Sequence, residues 1–198
     1  FPMHHTLFLT LARLCGLITG DAYRGFILLD MLMSALALVA AWWWLRGLVE
    51  ARTALAATLL LGLSPMFWGY GAVAANYTVI IFVGSMLLGI AFRTWNAPKP
   101  WHPVVASVVL AFGAGYRSDI GTLWLPILGV ILWKHRWKSA MVSALLFGLI
   151  CFLWFSAMLI DVGGWTRYRE ASSQFAHSAG YLNSIWNLGF VDSVLRYS

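Results

Sequence analysis

"YRGFILLDMLMSALALVAAWWWL", residues 23–45, holds Arg24 and Asp30 as its only charges. Wound as an α-helix at about 1.5 Å per residue it reaches roughly 35 Å, enough to cross the roughly 30 Å hydrocarbon core of a bilayer. It ends in Trp42, Trp43 and Trp44, just ahead of Arg46. Indole rings favour the membrane–water interface, and a basic residue beyond them marks the cytoplasmic side. The composition extends this reading to the whole chain. Of 198 residues, 61% are hydrophobic and 10% charged, and the mean hydropathy is +0.79. A soluble domain carries roughly 45–50% apolar and about 25% charged residues, so this chain has too few charges to cover a water-facing surface.

Further candidate spans follow at 53–74, 77–95 and 139–160. Between the last two lie shorter apolar runs, "PVVASVVLAFGAGY" (103–116) and "IGTLWLPILGVILW" (120–133). Each is about 21 Å long as a helix. They form either two short spans or a deep hairpin with Arg117 and Asp119 at its tip. "HTLFLTLARLCGLIT" (5–19) is also short and carries Arg13 in its middle, which suits a helix lying along the interface. The expected fold is all-α: a polytopic transmembrane bundle of about six spans with an interfacial juxtamembrane helix. Its divisions are an external segment (1–22), the bundle (23–160) and a more polar external segment (161–198) in which "GGW" signals a turn.

The charges sort by loop. Arg46, Glu50, Arg52, Arg93, Lys99, Lys134, Arg136 and Lys138 carry net +6, and the remaining charges cancel. The whole excess therefore falls on alternate loops, which the positive-inside rule places in the cytoplasm. Topology accounts for the high isoelectric point, and nucleic acid is not needed as a partner. With residues 1–22 outside, six passes return the chain outside at Asp161, leaving both ends of the chain on the non-cytoplasmic side of the cell membrane. The opening "FPMHH" and closing "VLRYS" read as cuts through a longer polypeptide. Cys15 and Cys151, far apart in apolar runs, read as inert thiols.

Candidate functional residues gather at the external ends. Arg117 and Asp119 lie between apolar segments, where ionisable residues face a bundle interior or a wet cavity. A guanidinium has five donors, more than one carboxylate takes up. The alternative is an ion pair that merely holds a tight turn. Asp30 reads as a hydrogen-bonding group between helices. His4 and His5 lack the spacing of a metal pair and suit hydrogen bonding to substrate. Asn76 and Tyr77 sit in an uncharged external turn within reach of a sugar hydroxyl. Arg167 and Arg169 form a basic cluster suited to lipid headgroups or phosphate. No metal or other cofactor is expected.

Four stretches in order, "PMHHTLFLTLARL", "GDAYRGFILLDMLMSALALVAAWWWLRGL", "LSPMFWGYGAVAANYTV" and "GYRSDIGTLWLP", resemble the GT-C class of membrane glycosyltransferases. That class includes protein O-mannosyltransferases and the aminoarabinose transferases acting on lipid A, and the likeness is greatest to its bacterial multi-pass branch. The resemblance covers most of residues 2–170. It implies transfer of a sugar from a polyprenyl-phosphate-linked donor to an acceptor at the non-cytoplasmic face, with membrane lipid and the lipid-linked donor as partners. It further implies that Arg117, followed by Arg167 or Arg169, contacts the donor phosphate. The family's catalytic Asp is expected upstream of Phe1. A lipid or anion transporter and a non-catalytic membrane scaffold are the competing readings.

Overall fold

The computed structural model describes residues 6–72, 77–170 and 173, and among these the regular structure is entirely α-helical. In chain order the helices are α1 (Thr6–Thr19), α2 (Ala22–Leu45), α3 (Ala51–Leu63), α4 (Pro65–Ala72), α5 (Thr78–Asn96), α6 (His102–Tyr116), α7 (Ser118–Trp133) and α8 (Trp137–Val162). By length and composition α2, α5 and α8 can each cross a membrane, while α3, α6 and α7 are shorter apolar helices. Leu145, Leu149, Phe152 and Leu153 of α8 and Val39 of α2 are more than half exposed. Outward faces this apolar match lipid rather than water, and the molecule is a helical membrane bundle. The chain divides into two compact units, Phe1–Phe155 and Ser156–Ser198.

The first unit is organised around α5. Val79, Val83, Leu87 and Ile90 recur at helical spacing and are almost wholly buried. They belong to one core with Leu29 and Met33 of α2, Ala106 and Leu110 of α6, and Ile120, Leu128 and Ile131 of α7. Small residues on α6, among them Ala106, Ser107, Ala111 and Ala114, are buried along its length, which lets backbones approach closely where lipid supplies no hydrophobic drive.

The two short apolar runs form the consecutive helices α6 and α7, which lie along α5. At one end of α5 the Thr94 hydroxyl lies 2.9 Å from His102 Nδ1, where α6 begins. At the other end Tyr77 lies against Arg117, where α6 gives way to α7. Helix α7 then returns, and His135 just beyond it lies 2.9 Å through Nε2 from the Lys99 carbonyl oxygen. The pair therefore runs the full length of α5 instead of stopping part-way.

One expected span is broken. The stretch 53–74 is not one helix, because α3 stops at Leu63 and α4 starts at Pro65. Proline has no N–H to continue the ladder and forces the residue before it out of helical geometry. Ser64 accordingly takes an extended conformation, φ −65° and ψ 134°. Its hydroxyl then accepts the Phe67 N–H at 3.2 Å and restarts the helix.

Helix α1 packs on α2 through glycines. A Cβ on Gly25 would lie 2.5 Å from the backbone N of Gly16 and 2.6 Å from the Ala12 carbonyl oxygen, so no larger residue fits without separating the helices. Phe8 of α1 lies beside Phe26 and Tyr116, with ring centroids 5.3 and 5.0 Å apart. Cys15 and Cys151 are both free thiols.

The basic loops meet at one end of this unit. Arg93 donates to the Trp43 carbonyl oxygen at 2.9 Å, the Ser139 hydroxyl reaches the Pro100 carbonyl oxygen at 3.4 Å, and Lys134 sits 3.9 Å over the Trp95 ring. In the second unit the expected turn at "GGW" is present. Gly163 and Gly164 take φ of +87° and +105°, values that only glycine adopts without strain. Residues 165–170 resume a helical course.

Candidate active site

The end of the first unit opposite the basic loops is built on one extended residue. Arg117 (φ −147°, ψ 120°) is at once the C-cap of α6 and the N-cap of α7. So abrupt a reversal needs small neighbours. A Cβ on Gly113 would meet Ile120 Cγ2 and a Val83 methyl at 2.8 Å, and one on Gly121 would meet Ala114 Cβ at 3.0 Å. The Arg117 N–H bonds back to the Gly113 carbonyl oxygen at 2.8 Å, and its own carbonyl takes the Ile120 N–H at 3.1 Å. The turn is thus fixed by backbone bonds, and the side chains of Arg117 and Asp119 are left to other work.

Those side chains pair fork to fork. Arg117 Nε donates to Asp119 Oδ1 at 3.0 Å and Nη2 donates to Oδ2 at 2.6 Å. Such bidentate pairing orients the guanidinium plane as well as binding it. Asp119 falls in the first turn of α7, where the positive end of the helix dipole favours a carboxylate. The two partners differ in exposure: the arginine side chain is 15% exposed and the aspartate 59%. The carboxylate faces outward and the guanidinium is drawn inward.

The inner face of Arg117 is covered by Tyr77. The guanidinium carbon lies 4.5 Å from the centre of the Tyr77 ring, close enough for a cation–π contact, and the phenol hydroxyl is a further hydrogen-bond partner. The bond to Asp119 outweighs the opposing effect of burial and holds Arg117 more firmly protonated than an ordinary arginine. A shallow cleft of about 250 Å³ opens beside Tyr77, lined also by Leu61, Ser64, Phe67, Thr78 and Ile81.

Of the residues the sequence nominated, the structure brings three together: Arg117, Asp119 and Tyr77. Arg167 and Arg169 belong to the second unit. His4, His5 and Asn76 lie outside the described residues. Asp30, on α2, is wholly buried. Sequence reasoning missed the stacking role of Tyr77 and the packing around Arg93 and His102 at the basic end.

No curated protein and no solved structure matches the chain. The family model described as dolichyl-phosphate-mannose-protein mannosyltransferase matches residues 4–160, a segment that includes α1 to α7, most of α8, and the Arg117 turn. With the match running over residues 4–160 of 198, the chain belongs to the dolichyl-phosphate-mannose-protein mannosyltransferase family of membrane glycosyltransferases.

Proposed function

We propose that this membrane glycosyltransferase takes its sugar from a polyprenyl-phosphate-linked donor at the non-cytoplasmic face, with Arg117 at the donor phosphate. One observation carries the reading: a partly buried guanidinium, oriented by Asp119 and backed by Tyr77, at the end of the unit opposite the basic loops. By the positive-inside rule the basic loops face the cytoplasm, so the Arg117 end faces away from it.

The chemistry follows from charge. As the bond from the sugar's anomeric carbon to the donor phosphate breaks, negative charge grows on the departing phosphate oxygens. A guanidinium already fixed in orientation stabilises that charge without reorganising during the reaction. The Arg117–Asp119 pair is close to neutral as a unit, so phosphate recognition relies on directed N–H donors more than on net charge. Asp119 acts through Arg117 and is a positioning residue.

The test is transfer from a polyprenyl-phosphate sugar by the full-length protein in bilayers. Arg117→Ala is expected to lower kcat by about 10²–10³, the cost of removing a positioned oxyanion donor, with membrane insertion intact. Unchanged turnover would remove Arg117 from the site and leave its pair with Asp119 as a structural clasp.

A further inference from the structure

At the basic end, opposite the Arg117 turn, a cleft of about 420 Å³ is lined by Trp43, Arg93, Asn96, Lys99, Trp101 and His102. Two cations, one imidazole and one amide share it with two indoles. Its volume falls in the range of small-molecule sites.

The cationic wall is held rigidly. Arg93 lies flat on Trp43, with its guanidinium carbon 3.6 Å from the ring centre. It also donates from Nη1 to the Gly89 carbonyl oxygen at 3.1 Å and from Nη2 to the Trp43 carbonyl oxygen at 2.9 Å. The indole fits only because residue 89 is glycine: a Cβ there would lie 2.4 Å from Trp43 Cζ3. His102 is fixed as well. Its Nδ1 faces the Lys99 N–H at 3.4 Å and the Thr94 hydroxyl at 2.9 Å. A backbone N–H can only donate, so Nδ1 accepts, and the ring proton of the neutral imidazole sits on Nε2.

A second feature leads out of the cleft. On α2, Leu32, Leu36 and Val39 precede Trp43 at spacings of four, three and four residues, which places them on one helical face. All three are exposed, at 49%, 47% and 61%. The stripe starts at the cationic cleft and runs along the helix towards the middle of the bilayer, as an acyl chain does from its headgroup.

We propose that this cleft binds the phosphate headgroup of an anionic phospholipid from the leaflet at the basic end, with an acyl chain along the Leu32–Leu36–Val39 face. Basic pockets between membrane helices at this level suit such headgroups, and the indoles suit the interface. A lipid seated here would bridge α2 and α5 and brace the bundle from the end opposite the Arg117 turn. The inference needs no assumption about the sugar donor.

The experiment uses the full-length protein in mild detergent, with dioleoylphosphatidylglycerol and dioleoylphosphatidylcholine as probes and native mass spectrometry as the readout. Retention of the anionic lipid is expected to exceed that of the zwitterionic one by about fivefold per engaged basic residue. Lys99→Glu, at an exposed site, is expected to abolish the preference without loss of helicity. Arg93→Gln, which removes one of the two charges, is expected to weaken the preference. Leu36→Ala with Val39→Ala should lower retention of both lipids. Equal retention of the two lipids by the unmodified protein, or a preference untouched by Lys99→Glu, overturns the proposal. So does displacement of the anionic lipid by millimolar inorganic phosphate, which would mark a free-anion site instead.

Discussion

The Arg117 guanidinium lies 4.5 Å from the centre of the Tyr77 ring, so the start of α5 is stacked on the turn between α6 and α7. The contact is long-range in sequence and electrostatic in kind: the ring's negative face meets a cation. It also covers the side of Arg117 that Asp119 leaves open. Tyr77 thereby helps decide which way the remaining N–H donors point.

Separating the ring from the hydroxyl tests this role. Tyr77→Phe keeps the stack and removes the hydroxyl's hydrogen bond, whereas Tyr77→Leu removes both. A cation–π contact at a partly covered site is worth about 0.5–2 kcal/mol, so Tyr77→Leu is expected to raise KM for the lipid-linked donor by about threefold to thirtyfold. Tyr77→Phe should fall between that variant and the unmodified protein. Steady-state kinetics with the donor as varied substrate provide the check. Identical KM values for all three proteins would show that the stack does not position the site.

Asp119 calls for a different kinetic signature. Its carboxylate grips Arg117 through two bonds, and Asp119→Asn retains a single acceptor oxygen. The guanidinium keeps its charge but loses the forked geometry that fixed its plane. The expected result is a fall in kcat of about tenfold, one misplaced positioning contact being worth about 1.4 kcal/mol, with a smaller change in donor KM. Arg117→Lys keeps the charge without the fork and should resemble Asp119→Asn more than Arg117→Ala. If Asp119→Asn matches Arg117→Ala instead, Asp119 itself touches the reacting groups.

The sequence made the pairing of Arg117 with Asp119 readable because both are charged and lie two residues apart inside an apolar tract. Charge there demands a partner, and the nearest is the simplest. Tyr77 was readable as a candidate but not as a neighbour of Arg117, since forty residues separate them and no periodicity links the ends of different helices. The alternate basic loops were legible from charge alone, and the structure gathers Arg93, Lys99 and Lys134 at one end. What held that end together was not legible: Gly89 looks like any membrane-helix glycine until Trp43 is seen to fill its place. The break at Ser64 had a local signal in "SP" that hydropathy over a long window smooths away.

The glycine contact between α1 and α2 yields a paired prediction. Gly25→Ala puts a methyl 2.5 Å from the Gly16 backbone N, and backbone cannot rotate aside as a side chain can. Overpacking of this kind costs about 1–3 kcal/mol. The thermal unfolding midpoint should fall, and half-buried Cys15 should react faster with a small thiol reagent as α1 lifts. Gly129→Ala on α7 is the control, because a Cβ there meets nothing within 4 Å. It should leave stability unchanged or raise it by up to about 1 kcal/mol through helix propensity. Equal effects at the two positions would show that α1 does not depend on this contact.

Orientation across the membrane is open to a direct chemical check. The basic loops meet at one end of the first unit and Arg117 lies at the other, so one labelling pattern is expected. Ser118 and Ala97 are both exposed and uncharged, and replacing either leaves the loop charges that set orientation untouched. In a background with Cys15→Ser and Cys151→Ser, Ser118→Cys should react with an impermeant maleimide added to intact cells. Ala97→Cys should react only after the membrane is opened. The opposite pattern would place the Arg117 turn in the cytoplasm, where it could not meet a donor presented at the outer face. The basic end would then face outward, against the charge bias that orients membrane helices, and the donor-phosphate role of Arg117 would fall with it.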